Sequence, residues 1–206
     1  MSLPTDYEYP DASRRWDHDL VLPPVFEALK SIPATGSVLD IGCGNGAILA
    51  DIRKRGSWKL CGVETSETGV SVARSQGLEV RLSGPGADLA SLFGAHSFDL
   101  VISVEVIEHV FDPRGFIAQA RSMLCPNGRF VITTPYHGYL KNLLIAGLGK
   151  GDSHYNPLWD GGHIKFWSRK TLSALLTEAG FEDIQFFGAG RLPYFWKSMI
   201  LTATVR

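Results

Sequence analysis

Ser37-Val38-Leu39-Asp40-Ile41-Gly42-Cys43-Gly44-Asn45-Gly46 is a short apolar run that ends in alternating glycines. Val38, Leu39 and Ile41 are strand formers on a run too short for a helix, and Asn45 to Arg55 reads as the helix that follows. Strand, glycine turn and helix form the opening unit of a nucleotide-binding α/β sheet. In such a unit the glycines let the backbone approach a ligand closely, and the first helical turn offers N–H groups that the helix does not use.

Two ligand classes fit that geometry, because Gly42, Gly44 and Ala47 also satisfy the dinucleotide pattern G-x-G-x-x-G/A. Asp40 separates them. A carboxylate at the strand end, two residues before the first glycine, repels a pyrophosphate and welcomes a cation. The run Asp40, Gly42, Gly44, Gly46 resembles motif I of the class I S-adenosylmethionine-dependent methyltransferases, whose ligand carries an ammonium and a sulfonium. The resemblance implies S-adenosylmethionine as cofactor, lying against Asp40, Gly42, Cys43, Gly44 and Gly46.

At 206 residues, 45% hydrophobic and 20% charged, the chain has ordinary globular composition and reads as a single domain over 1–206. A formal net charge of −1 gives no global attraction for nucleic acid, and no Lys/Arg run exceeds Arg53-Lys54-Arg55. A small-molecule substrate is expected, with no nucleic-acid partner. Cys43, Cys61 and Cys125 lack both zinc spacing and a disulfide framework, which fits a reducing, cytoplasmic setting. The first 19 residues carry no apolar core of signal-peptide type, and no stretch approaches the roughly 20 apolar residues of a membrane span.

Residues 1–35 read as an N-terminal cap region, with a helix over Val21–Ile32 that starts after Pro23-Pro24 and is expected to lie over the ligand site. Trp16 and His18 precede it, as pocket-closing residues or as aromatic anchors. Lys59–Glu64 is a second buried strand that passes into Thr65-Ser66, a helix start. Glu64 stands about 20 positions beyond Gly42, the separation at which an acid accepts hydrogen bonds from ribose hydroxyls. Glu64 and the adjoining Thr65 are therefore assigned to the cofactor, helix capping being the other reading for Glu64. Leu78–Leu82 is a third strand. Asp88, beyond it, is either an adenine-contacting acid or a turn residue.

Phe98–Val104 is a near-continuous apolar run, as expected of a central parallel strand covered on both faces. Glu105-Val106-Ile107-Glu108-His109, followed by Asp112-Pro113, resembles the E-x-x-E-H segment of the ubiquinone-pathway O-methyltransferases and their relatives. The resemblance implies O-methylation of a small molecule. His109 is then the candidate general base, a neutral imidazole near the methyl-donor end of the central strand, and a structural histidine is the alternative. Glu105 is assigned to the cofactor. Some relatives imply a divalent cation on Glu105, Glu108 and His109, but no metal is assigned here.

Asp112 reads as an N-cap with Pro113 at the first helical position, and Pro126-Asn127-Gly128 as the end of that helix. Phe130–Thr134 is the fifth strand. A helix runs from Ser168 to Gly180, and Phe181–Ala189 and Lys197–Val205 alternate as a half-exposed antiparallel pair. The expected fold is a Rossmann-like, doubly wound α/β sheet of seven strands, mostly parallel, with an antiparallel C-terminal hairpin. Residues 136–167 interrupt the alternation and read as a substrate-lid insertion. Within it, Leu140, Leu143, Leu144 and Leu148 recur at helical spacing, a stripe either buried against the domain or lying weakly on a membrane surface. Two other functions compete: a nicotinamide-dependent oxidoreductase, favoured by the bare glycine spacing, and a non-catalytic S-adenosylmethionine-binding protein. The absence of an N-P-P-Y-like motif after Val104 disfavours methylation of DNA.

Overall fold

A computed structural model describes residues 7–13, 18–84, 86–190 and 192–206. Trp16 lies outside the described residues. The strands are β1 (Ser37–Ile41), β2 (Lys59–Glu64), β3 (Glu79–Leu82), β4 (Phe98–Val104), β5 (Leu124–Pro135), β6 (Glu182–Ala189) and β7 (Ser198–Thr204). They form one sheet of order β3-β2-β1-β4-β5-β7-β6. The first five of these run parallel, whereas β7 is antiparallel to both neighbours. The strand order reverses between β1 and β4, which opens a crevice at their carboxyl ends.

Helices cover both faces, so the central strands lose the polar/apolar alternation of a half-wet sheet. On one face α1 (His18–Leu29) and α2 (Ala47–Arg53) pack on Val38, Leu100, Ile102, Val131 and Ile200. α3 (Glu67–Ser75) extends this layer against Val80 and Leu49. On the other face α4 (Leu89–Phe93), α5 (Pro113–Met123) and α8 (Arg169–Glu178) pack on Leu39, Val101, Phe130 and Leu201. Between β5 and α8 the chain forms α6 (Tyr139–Gly147) and α7 (Gly151–Tyr155). None of the described helices is long and apolar enough to cross a membrane.

The fold agrees with the sequence pattern, with three local differences. α1 begins at His18 rather than after Pro23-Pro24, both of which lie inside it. Its apolar face, Val21, Leu22, Val25 and Leu29, is buried on the sheet, and residues 7–13 rather than this helix reach the glycine loop. In the terminal hairpin only β6 is a half-exposed edge; β7 is inserted between β5 and β6 and buries Met199, Ile200 and Leu201 in succession. Finally, β5 follows Met123 directly, so the Pro126-Asn127-Gly128 turn falls within the strand, with Asn127 at φ 62°.

Candidate active site

The loop after β1 takes its path from its neighbours. Gly42 (φ 79°) and Gly44 (φ 54°) adopt left-handed backbone that a side chain would strain. The Gly42 and Cys43 amides both donate to the Val63 carbonyl, at 2.8 and 3.1 Å, which binds the loop to β2. A Cβ at Gly42 would stand 2.5 Å from Val106 Cγ2, and one at Gly46 2.6 Å from Leu78 Cδ1, so both glycines also permit close packing. Cys43 shapes the loop without presenting a side chain to it. Its thiol is packed beside Gly62, where a Cβ would stand 2.6 Å from Sγ, and burial pushes its pKa well up.

At the end of β1 Asp40 is 1% exposed, and neither carboxyl oxygen has a hydrogen-bond partner among the described residues. Burial first, and the Glu64 charge second, push its pKa up to about 8. A buried acid without protein donors is costly in the ligand-free chain and fits a ligand that brings positive charge. Glu64 is buried too, but amply satisfied: Oε2 accepts from the Gly44 amide (2.7 Å), and Oε1 from the Thr65 (2.7 Å) and Ser66 (2.9 Å) amides. It therefore clamps the β2–α3 junction to the glycine loop. Thr65 Oγ1 donates to the same Oε1 at 3.1 Å. The two acids and the glycine turn lie together at the crevice, and carboxyl acceptors in this place suit the ammonium, sulfonium and ribose of S-adenosylmethionine. Asp88 takes the turn role: its side chain caps α4 by accepting from the Ala90 amide at 3.0 Å.

Residues 7–13 lie across the glycine turn. The Asn45 side-chain amide donates to the Asp11 (2.8 Å) and Ser13 (2.9 Å) carbonyls, and the Tyr9 amide donates to Thr68 Oγ1 at 3.0 Å. The Tyr9 ring passes so close to Gly44 and Gly69 that a Cβ at either would meet it within 3.0 Å. Sequence reasoning missed this segment because it has no periodicity of its own.

Just beyond β4, at a strand end that faces the crevice, Glu105 has φ 55°, uncommon for a non-glycine residue. Its amide donates to Thr133 Oγ1 (3.1 Å) and its Oε1 accepts from the same hydroxyl (2.9 Å), while Ser198 Oγ donates to Oε2 at 3.4 Å. A short 3₁₀ turn, Ile107–His109, then buries Glu108 and leaves His109 partly open. Thr134 Oγ1 donates to Glu108 Oε2 (3.0 Å), and the Glu108 carbonyl accepts from the Ile164 and Lys165 amides (2.9 and 3.0 Å). This brings in His163, whose Nε2 lies 4.0 Å from Glu108 Oε1.

His109 Nδ1 lies 3.2 Å from the Gly162 carbonyl, and its ring meets Tyr7, Trp159 and His163 edge-on, with centroids 5.8, 6.1 and 4.9 Å away. Ligating atoms of Glu108, His109 and His163 fall within 4.8 Å of one another, so a divalent cation would use this trio. Glu105 is not part of that group. His163 was not assigned from sequence, because it stands 54 positions beyond His109 and comes beside it through the pairing of the Ile164 and Lys165 amides with the Glu108 carbonyl. His137, at the start of the insertion, is buried against His154, Tyr155 and Phe166, and burial lowers its pKa to about 4, which marks it as a packed, neutral ring.

Residues 13–185 match the family model described as a methyltransferase domain. The chain is 26% identical over 202 residues to a ubiquinone biosynthesis O-methyltransferase of Cereibacter sphaeroides, covering 96% of this chain and 78% of that one. It is 34% identical over 116 residues to the corresponding protein of a Caulobacter species, covering 54% and 45%. Among solved structures, a SAM-dependent methyltransferase of Archaeoglobus fulgidus superposes with a TM-score of 0.68 at 17% identity, covering 89% of this chain and 90% of that one. A Haemonchus contortus phosphoethanolamine N-methyltransferase solved with S-adenosyl-L-methionine gives 0.67 at 16% identity, covering 92% and 52%. The seven-stranded sheet, the acid-and-glycine floor and the family match agree: the chain belongs to the methyltransferase domain family and is a class I S-adenosylmethionine-dependent methyltransferase.

Proposed function

We propose that this enzyme O-methylates a small aromatic acceptor held between the glycine loop and the Tyr136–Trp167 insertion, with His109 as general base. The observation that carries this reading is the setting of His109, a partly exposed imidazole enclosed by three rings, at the end of the strand next to β1. When bound, S-adenosylmethionine supplies an activated methyl group on sulfur. Asp40 would hold its ammonium end and Glu64 its ribose, with Gly42, Gly44, Gly46, Thr65 and the Glu105 turn shaping the wall. The tyrosine, tryptophan and histidine rings around His109 offer edges and faces to a planar acceptor. In the neutral imidazole that donates Nδ1–H to the Gly162 carbonyl, Nε2 would take the proton of an acceptor hydroxyl. The likeness to the Cereibacter and Caulobacter ubiquinone biosynthesis O-methyltransferases supports an oxygen acceptor on a quinone precursor. A second reading puts a divalent cation on Glu108, His109 and His163, where it would polarise the acceptor oxygen.

The test is transfer of a labelled methyl group to matched phenols, amines and carbon acids. The expected result is label on the phenols; transfer confined to amines would remove the need for the base assigned here.

α6 supports a further expectation about where that acceptor is met. Leu140, Leu143, Leu144 and Leu148 are 44–57% exposed and no residue of this helix is buried, so the stripe does not pack on the domain. Such a face, with Lys150 just beyond the helix, suits a bilayer surface and a lipophilic acceptor; the Lys141 ammonium, expected to serve the same contact, is instead turned to the Tyr136 and Lys197 carbonyls at 2.8 and 3.4 Å. Pelleting with anionic liposomes should fall about fivefold or more on Leu143→Glu, one exposed charge in an apolar contact, with S-adenosylmethionine affinity unchanged. Absence of wild-type pelleting would make α6 a lid over a water-soluble acceptor.

A further inference from the structure

We infer that Trp159 is a specificity-determining residue: its half-exposed indole is the platform on which a planar acceptor ring stacks beside His109, so that the enzyme selects flat aromatic acceptors over puckered ones of the same size. This rests on the reading that the acceptor is met beside His109, and it holds whether that histidine acts as base or as metal ligand.

The indole is fixed by the turn that carries it. The Trp159 amide donates to the Asn156 carbonyl at 3.2 Å, and the Trp159 carbonyl accepts from the Gly162 amide at 2.9 Å. The Leu158 amide donates to Asn156 Oδ1 at 3.3 Å, and Gly161 sits in left-handed backbone (φ 75°), so residues 156–162 wind tightly. A Cβ at Gly162 would stand 3.2 Å from Trp159 Cε3 and 3.4 Å from Cδ2, so the glycine lets the ring lie directly against the turn. The Ile164 and Lys165 amides then tie the turn to the Glu108 carbonyl, one residue before His109. The indole thereby takes a set place against the imidazoles. Its centroid lies 6.1 Å from His109 with the planes at 83°, and 5.4 Å from His163 with the planes at 56°.

Tryptophan is highly buried on average, yet Trp159 is 43% exposed. An apolar ring already held in place gains by covering that surface, and its partner need not first order the side chain. Aromatic rings stack offset or meet edge-on, and an acceptor laid parallel to the indole shares its steep inclination to the imidazole. A saturated ring buries a similar area but stands off the indole on its axial hydrogens and has no π-face to offer. Phe111, two residues beyond His109, and Leu158, next to Trp159, are exposed as well and add apolar surface on either side.

The test compares 2-naphthol with decahydro-2-naphthol, one flat and one puckered, by their dissociation constants from the enzyme loaded with S-adenosylhomocysteine. Wild type should prefer 2-naphthol by about 3–10-fold, the gain from one aromatic pair. Trp159→Phe should keep most of that ratio, whereas Trp159→Leu, which retains apolar bulk without an aromatic face, should bring it to about one. Both variants should bind S-adenosylhomocysteine within about twofold of wild type, and Trp159→Leu should raise KM for 2-naphthol with kcat little changed. The inference is overturned if wild type binds the two alcohols alike or binds neither, or if Trp159→Leu keeps the wild-type ratio, as it would if the turn were only damaged and both alcohols lost equally. Failure of the underlying reading looks different: no labelled methyl would reach 2-naphthol or any other phenol while the binding ratio still depended on Trp159.

Discussion

His109→Ala is expected to lower kcat by about 10²–10⁴-fold while changing S-adenosylmethionine affinity little, the signature of a group that acts on the acceptor proton and not on cofactor binding. The geometry supports this split. His109 makes its contacts with Tyr7, Trp159, His163 and the Gly162 carbonyl, whereas the acids that suit the cofactor come from the ends of β1 and β2. Single-turnover kinetics and calorimetric titration of the same preparation measure the two quantities. Loss of both together would reassign His109 to holding the loop. Chelator treatment of the wild-type enzyme separates base from metal ligand: turnover that survives metal removal favours the base, and turnover restored only by a divalent cation favours the Glu108, His109 and His163 trio.

The second large effect concerns Asp40. Asp40→Ala should weaken S-adenosylmethionine binding by about 1–3 kcal/mol, roughly 5–150-fold, since it removes the buried acid that meets the ligand's positive charge. A pH dependence accompanies it. With its pKa pushed up to about 8, Asp40 is mostly protonated in the ligand-free enzyme at pH 7 and must lose that proton to pair with a cation. Affinity should therefore fall as pH drops below 8, approaching about tenfold per unit.

Stability responds in the opposite direction. Because the folded-state pKa is raised, the folded chain binds more protons than the unfolded chain between pH 4 and 8. The contribution of Asp40 to stability is thus fullest at the acid end of that window and is lost as pH rises through it, with a limiting slope of about 1.4 kcal/mol per unit. Asp40→Asn abolishes this slope, so the variant should gain thermal stability relative to wild type on going from pH 6 to pH 8 while binding the cofactor more weakly. Glu64→Ala should differ, lowering the melting temperature together with affinity, because it strips the acceptor from the Gly44, Thr65 and Ser66 amides. Midpoints at both pH values for the three proteins test the contrast; a wild-type and Asp40→Asn pair with parallel pH profiles would mean that Asp40 is ionised without a ligand.

Asp40, the glycine turn and Glu64 were legible in the sequence because each belongs to a local rule: an acid at a strand end, a left-handed turn, and a spacing set by one βαβ unit. The same locality made the dinucleotide reading compete, and it was Asp40 that told against it. Glu108 and His109 were legible as a motif, but their geometry was not. Glu105 and Glu108, three residues apart, diverge at the left-handed backbone of Glu105, one to Thr133 and Ser198 and the other to Thr134 and the insertion. Tyr7 and His163 reach His109 through contacts between residues far apart in the chain, for which no pattern exists in the sequence itself. The leucine stripe of α6 was legible as a stripe, yet periodicity states only that one face is apolar and not what covers it.

The decisive measurement is the structure of the enzyme with S-adenosylhomocysteine. The predicted result places the homocysteine ammonium beside Asp40, the ribose hydroxyls on Glu64, and the sulfur facing the cleft bounded by His109, Trp159 and His163. An S-adenosylhomocysteine lodged with Asp40 still without a partner, or with its sulfur turned away from the ring cluster, would contradict it.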